Sequence, residues 1–564
     1  MTMAATTRLD RIGPFVYERH APTMPMLRHG CDAERRRVVI VGGGPVGLAV
    51  ALGLARHGVR SVVIEADDSV CEGSRAACIS RRSLEIVDRL GALEAFVAKG
   101  LPWSGGRSFY RDTEVFRFAM PHGPHDRLPP MINLEQYYAE AFLIDAIDRC
   151  NDRIPGTIEV RWASTVTGLE EDGSGAMLTV DNALGTYRIA ADWIVACDGG
   201  QSFVRRALAL SLQGTTYDDR YVIIDIDLPS SYPTERRAWF DPPWNRGATV
   251  LMHKQPDDLW RIDYQLRQGQ SPEEALEPDN VRAFVARHLD AIGEGHLPWH
   301  VVWTSVYRAG AVTLPTYRQC RMLFAGNAAH VLPIFGVRGL NSGIDDADNL
   351  AWKLAYVVRE TAPAALLDTY SDERIEAFHE NARHAMRSTE FMSPPSRGFD
   401  LMREACLSLA GKHPAIANLI NPRQTHAIHY ARSALSSRDD PFASGPPAGS
   451  VLVEHPLDAT VAGGPTHLTQ CLGAGFTWIV FGEAAAWRAA VEAPRIGPVR
   501  STLIACRADG ALAAAYGAVD GSVYLVRPDG HVAGRWHRPP PWTLQAALAT
   551  ALGFATARDV RVAA

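Results

Sequence analysis

Three glycines, Gly42, Gly44 and Gly47, punctuate the segment VVIVGGGPVGLAVALGLARHGVRSVVIE, which an acid, Glu65, closes. These residue types at this spacing suit a diphosphate and a sugar. A strand, a tight glycine turn and a helix would leave free N–H groups and a positive dipole end facing a pyrophosphate. Gly42 permits the turn, Gly44 lets the backbone approach the phosphates, and Gly47 lets helix and strand pack closely. Glu65, about 20 residues further on, can accept hydrogen bonds from a ribose diol and would repel a 2′-phosphate. The turn therefore disfavours NADP, while FAD and NAD both remain.

Two further motifs lie far downstream: ACDGGQSFVRRAL at 196–208 and AGNAAHVLPIFGVRGLNSGIDDADNLAWKLA at 325–355. The intervening sequence must supply the elements that hold them together. Leu84, Ile86, Val87, Leu90 and Leu93 recur near helical spacing, and a second helix is expected around Tyr137 to Arg149. Short strands fill 158–191. From about 217 to 319, runs such as YVIIDIDL, ATVLMHK and LWRIDYQL alternate and are rich in β-branched and aromatic residues, which predicts an inserted β-sheet. Long helical patterns follow the third motif. A Pro/Gly/Ser-rich stretch, SSRDDPFASGPPAGS, then separates off the last hundred or so residues. We divide the chain into an extension (1–36, read as loosely ordered), a first dinucleotide-binding part with some substrate-side loops (37–215), a β-sheet domain (216–320), a second dinucleotide-binding part with a helical region (321–440), and a linker with a C-terminal domain (441–564).

At 564 residues the chain exceeds one compact core, and 47% hydrophobic residues suffice to bury several. A formal charge of −6, with no basic run interleaved with aromatics, argues against nucleic acid as a partner. No apolar run approaches a membrane span. Nine cysteines without C-x-x-C or zinc-like spacing point to a reducing, cytoplasmic setting and to no structural metal. A subunit-contact role for the extension, in a possible homodimer, stays open.

With these motifs in their order, the chain resembles the single-component flavoprotein aromatic hydroxylases, the para-hydroxybenzoate hydroxylase and phenol hydroxylase superfamily. Its closest look is to hydroxylases of phenylpropionate-type and other phenolic acids. The resemblance spans about residues 36 to 400, and the terminal segment resembles the thioredoxin-like domain of larger members. It implies an α/β fold: a Rossmann-type FAD-binding domain, an inserted β-sheet substrate domain and a C-terminal thioredoxin-like domain. FAD would be resident and NADPH or NADH a visiting co-substrate, which fits a single GxGxxG.

By the same resemblance Gly42, Gly44, Gly47 and Glu65 hold the ADP half of FAD, Arg75 reaches the pyrophosphate, Gln136 lies near the flavin end and Val166 contacts adenine through its backbone. Asp198 and Gly199 match a pair to which both FAD and nicotinamide binding are ascribed. The family's Gly-Asp pair is here Gly326-Asn327, a neutral acceptor for the ribityl chain, and Ile334 replaces a second proline after Pro333. Gly336, Gly339, Leu340 and Asn341 would lead into a helix whose N-terminus faces the flavin, with the Arg338 charge nearby.

The activity implied is hydroxylation of a phenolic or related aromatic compound with NAD(P)H and molecular oxygen, through a flavin hydroperoxide. Such chemistry needs no nucleophilic side chain, and none of the usual nucleophile signatures is present. A base that deprotonates a phenol would help, and His253 and Tyr264, both on predicted strands, are the candidates. Arg261 could pair with a substrate carboxylate, although an arginine on the outer face of the sheet is the commoner outcome. Rival readings are a catalytically silent FAD-binding partner protein and a non-hydroxylating flavin oxidoreductase on the same scaffold.

Overall fold

The computed structural model describes residues 9–554 apart from 74, 172, 174, 268, 422, 459–463, 493–498 and 500. Its centre is a parallel sheet in which Ile158–Arg161, Ser61–Ile64, Arg36–Val41, the end of Gly185–Ala196, and Met322–Phe324 lie side by side. The runs VVIV, VVI of Ser61–Ile64, WIVA and MLF are apolar throughout because helices and loops cover both faces. The first half of Gly185–Ala196 turns instead into an antiparallel meander with Ala176–Asn182 and Ser164–Glu171.

Helix Pro45–Arg56 starts at the glycine turn and crosses helix Gly339–Val358. The crossing is close: a Cβ on Gly53 would lie 2.5 Å from the Ala351 Cβ, and one on Gly343 would lie 2.6 Å from Val46. Segments almost three hundred residues apart thus become one unit.

The second sheet has eight strands in the order Thr113–Ala119, Gly105–Tyr110, Arg236–Phe240, Thr249–Lys254, Leu259–Gln265, Gln213–Asp227, His300–Thr313 and His330–Val331. One face packs Val222, Ile224, Val250, Met252, Ile262 and Tyr264 with Val281, Phe284 and Val285 of helix Pro278–Ile292. Strand alternation turns the intervening side chains to the other face. The sheet also recruits residues 105–119, from within the first dinucleotide-binding part.

The extension corrects an expectation. Residues 9–36 run largely along the surface but are anchored rather than loose: Phe15 lies against Tyr137 and Tyr138 at ring separations of 4.7 and 4.9 Å, and His20 stacks on Trp162 at 4.6 Å. Asp32, buried, pairs with buried Arg161 at 2.6 Å. These partners are distant in sequence, so no local periodicity announces them.

The C-terminal sheet orders Ser501–Cys506, Phe476–Phe481, Ser522–Val526 and Val532–His537, with the first pair parallel and the others antiparallel. It docks on helix Gly339–Val358, where Trp352 and Tyr356 meet Phe476 edge-on. Beneath them Glu373 accepts hydrogen bonds from Arg527 at 2.6 and 2.9 Å and from Lys353 at 2.7 Å. Asp529 accepts from the Trp352 indole at 3.1 Å and from Arg527 at the same distance. Among the described residues no helix is long and apolar enough to cross a membrane.

Burial pushes the Glu373 carboxyl up, but Arg527 and Lys353 outweigh burial and hold it well below the usual range. A depressed carboxyl contributes stability above its unfolded value that is lost as the pH falls through the folded one. Glu373→Gln leaves buried Lys353 without its anionic partner, while Arg527 keeps only Asp529, and should cost about 3–5 kcal/mol. Urea denaturation and proteolysis in the linker around residue 440 should both show an earlier release of the C-terminal part. An unchanged midpoint and nicking pattern would remove Glu373 from its docking role.

Candidate functional site

A cavity of about 860 Å³ lies between the two large sheets, within the usual range for cofactor sites. At one end it is lined by Gly42, Gly43, Gly44, Glu65, Asp67, Thr165 and Val166. Gly42 sits at φ +104°, and a Cβ there would come within 2.5 Å of the Cys197 carbonyl oxygen. A Cβ on Gly47 would collide with the Gly42 carbonyl. Gly44 differs: an added Cβ meets only Glu140, at 4.0 Å, so the space over it belongs to the cavity. Gly44 caps the following helix without a side-chain acceptor, and no acid occupies the first turn, so the helix N–H groups stay free for an anion.

Glu65 accepts hydrogen bonds from the backbone N–H groups of Gly43 and Asp67, the latter at 2.8 Å. Burial raises its pKa while those donors pull it back. The carboxylate braces the turn and lines the cavity together. Arg75 is an exposed rim residue whose carbonyl accepts from Arg261 at 2.8 Å. Gln136 donates to Glu140 at 2.8 Å. Glu140 is a cavity residue that sequence reasoning missed. Buried beside Gly44, it accepts from the Cys71 N–H at 2.6 Å, and burial pushes it up to about 7. Its only signal is the helical i, i+4 spacing from Gln136.

Around the middle of the cavity, Asp198 accepts from the Val204 N–H at 3.1 Å through one oxygen, while its buried Oδ1 has no partner among the described residues. Gly199, at φ +75°, has open space where a Cβ would stand. Gly326 donates its N–H to Asp346 at 2.9 Å, and Asn327 is exposed, its amide without a hydrogen-bond partner among the described residues. Gly339 and Leu340 line the wall at an uncapped helix N-terminus. Pro333, Gly336 and Asn341 lie behind the lining. The Asn341 amide accepts from the Ser80 N–H at 2.9 Å and the Ser83 hydroxyl at 2.8 Å, tying the helix start to strand Cys78–Ser80.

Arg338 requires a correction. Its backbone caps the helix at the wall, but the buried guanidinium donates to Asn381 at 3.0 Å and to the Arg423 carbonyl, away from the cavity. Burial lowers its pKa to about 10. It supports the loop from behind.

The second sheet supplies the far wall. Register places Arg236, His253, Arg261, Asp225 and Trp303 in one cross-strand row, and all but Asp225 line the cavity. Arg261 is not on an outer face: it is buried and grips Asp225 at 3.0 and 3.2 Å. His253 is buried in the wall and its Nδ1 has no partner among the described residues. Burial, then the charges of Arg236 and Arg261, lower its pKa well below 6.5, so the ring is neutral at pH 7. Asp263, one row further on, is pushed up to about 6 by burial. Arg236 has no hydrogen-bond or ion-pair partner among the described residues. Tyr264 is the second correction: alternation turns it to the opposite face, where it stacks on Phe284 at 3.8 Å.

Residues 35–385 match the family described as FAD binding domain, and residues 446–555 match the aromatic-ring hydroxylase C-terminal family. The chain belongs to the FAD binding domain family. It is 29% identical over 525 residues to the 3-(3-hydroxy-phenyl)propionate/3-hydroxycinnamic acid hydroxylase of Mycolicibacterium smegmatis, covering 88% of this chain and 90% of that one. The protein of the same name from Escherichia coli K12 is 27% identical over 471 residues, covering 83% and 81%. In fold the chain is similar to the flavin-dependent monooxygenase PieE in complex with FAD and substrate, at TM-score 0.79 and 22% identity, covering 93% of this chain and 100% of that one. It is likewise similar to aklavinone-11 hydroxylase with FAD and aklavinone, at TM-score 0.74 and 22% identity, covering 92% and 99%.

The cavity fits the family's cofactor. The open cradle over Gly44, the orphaned Asp198 oxygen and the free Asn327 amide are polar features that a dinucleotide would satisfy. Gly44→Val should abolish FAD content, because a branched side chain fills the cradle while the turn itself remains unstrained. A yellow, fully occupied variant would move the pyrophosphate elsewhere. Asn327→Asp should tighten FAD binding by about 1 kcal/mol if the side chain meets the ribityl hydroxyls. Equal or weaker affinity in apoprotein titrations would assign Asn327 another contact.

Proposed function

We propose that this FAD-dependent aromatic-ring hydroxylase acts on a phenolic acid, whose carboxylate rests on Arg236 and whose phenol hydroxyl donates to His253. The observation that carries the reading is the unpartnered guanidinium beside a neutral, unpartnered imidazole in the cavity wall. The names of the curated relatives, which are hydroxylases of phenolic acids, support the same substrate class. They also favour an enzyme over a silent binding partner.

The overall reaction balances as aromatic C–H, oxygen, NAD(P)H and a proton giving aromatic C–OH, water and NAD(P)⁺. Gly42, Gly44, Glu65, Asp198 and Asn327 would hold FAD, which would supply the redox and oxygen-activating chemistry. The protein orients and polarises. Arg236 fixes the acid through a charge-assisted hydrogen bond. Neutral His253 accepts the phenolic hydrogen and draws electron density onto the ring, while Arg261, neutralised by Asp225, shapes the wall. Ile223, Trp303, Leu332 and Ile334 exclude water on the apolar side. The uncapped helix start at Gly339 and Leu340 lines the cavity and would favour negative charge on a bound cofactor. A cytoplasmic, dimeric setting completes the reading.

The first substrate to test is 3-(3-hydroxyphenyl)propionate, by oxygen uptake and product analysis. Arg236→Met should weaken its binding by about 10- to 100-fold, the loss of one hydrogen bond to a charged group, and leave FAD content unchanged. Normal affinity would sink the assignment. His253→Ala should lower the hydroxylated product formed per NAD(P)H consumed. Asp263 gives the pH dependence its sign. It is neutral below about 6 and negative above, so an anionic substrate should bind more tightly at pH 5.5 than at pH 7.5. Asp263→Asn should flatten that difference, and a slope that persists in the variant would point to another group.

A further inference from the structure

Behind the loop that carries Arg338, three side chains converge without any part in the cavity. Glu380 and His384 are i, i+4 neighbours on helix Asp368–Met392, and His426 reaches them from the segment that follows the helical region. One ligand atom from each lies within 4.8 Å of the others. His426 Nε2 is 2.9 Å from the Glu380 carboxylate, and the two imidazoles meet edge-on at 5.8 Å. We infer that Glu380, His384 and His426 form a binding site for a divalent transition-metal ion of the zinc class.

The donor set carries the inference. Two imidazoles and one carboxylate form a three-ligand zinc set that leaves the fourth position to water. Tetrahedral bonds of about 2.0–2.1 Å put donors roughly 3.3 Å apart, so the side chains need only rotamer adjustments to close on an ion. Imidazole donors select zinc, copper or nickel over magnesium and calcium, which prefer oxygen. The ligands are half-buried or exposed, so an ion can reach them.

The charged groups around His384 are Arg338, Arg423, Glu380 and His426. Glu380 brings negative charge to the donor set, which attracts a cation. The arginines are also a cost to an incoming cation. The Arg338 guanidinium is held by Asn381 and the Arg423 carbonyl, which fixes its charge in place beside the ligands.

The site has a consequence for the loop. Thr425 donates its N–H to the Gly336 carbonyl at 2.9 Å, and Arg338 donates to the Arg423 carbonyl. An ion joining His426 to the helix would therefore clasp the segment that buttresses the cavity loop 334–340 from behind. The assigned role is structural, outside the reaction itself.

The test uses the full-length holoenzyme, treated with chelator and dialysed, then incubated with zinc sulfate, gel-filtered and analysed for metal. Wild type should retain one zinc ion per chain more than His426→Ala, His384→Ala or Glu380→Gln, each of which should bind at least tenfold more weakly. Zinc should raise the Tm of the wild type by a few degrees, and magnesium should not. FAD content and metal-free Tm show whether each variant is folded. Copper(II) bound to the wild type should give an electron paramagnetic resonance spectrum with nitrogen hyperfine splitting, a result independent of any variant. Equal zinc content in wild type and folded variants, equal stabilisation by magnesium, or a copper spectrum without nitrogen coupling would each overturn the site.

Discussion

Asp346 is the carboxylate on which the second half of the cofactor-binding unit depends. It is fully buried on helix Gly339–Val358 and accepts hydrogen bonds from the Gly326 N–H at 2.9 Å, from His330 at 2.7 Å and from Arg374 at 2.6 Å. Burial raises its pKa, but His330 and Arg374 outweigh it and keep the group charged. A buried charge persists only when it is paired and hydrogen-bonded, so all three partners are held where they are. One of them is the turn that presents Asn327, and another, Arg374, also bonds Tyr430 and Ser342. His330 is thus a structural residue with an electrostatic task.

From this anchor the rest of the site follows by packing. Val46, one residue into the first helix, lies against both Gly326 and Gly343, so the turn at Gly42–Gly44 and the turn at Gly326–Asn327 share one cavity edge. The same long helix then carries Asn349, Trp352 and Lys353 into the ionic network of the C-terminal part. One helix therefore links the N-terminus that faces the cavity to the interface that holds the last domain.

The second sheet solves a different problem. It presents polar groups to the cavity on one face while filling a core on the other, and strict alternation along each strand does so. His253, Arg261 and Asp263 share the cavity face. Met252, Ile262 and Tyr264 share the covered one. A shift of one residue in register would exchange the two sets, which is why extensive pairing, continued by the strands from 105–119, is needed to fix it.

The sequence by itself determined the family, the α/β class, the order of parts and the glycine turn with Glu65, because those depend on local backbone needs: a positive φ at Gly42, an open cradle at Gly44 and a close approach at Gly47. It also supplied Asp198, Gly199 and the Gly326-Asn327 turn through the resemblance of short motifs. Only the tertiary structure decided which side chains reach the cavity. Arg338 has the right position in the motif, yet its guanidinium turns back to Asn381, whereas Arg236, Glu140 and Asp263 stand in no motif and line the wall. Tyr264 and His253 looked equivalent along the chain because each lies on an alternating strand. The parity of each strand relative to its neighbours separates them, and parity is set by pairing across the sheet rather than by any local preference. The same holds for the anchored extension and for Glu380, His384 and His426, whose partners are brought together by folding alone.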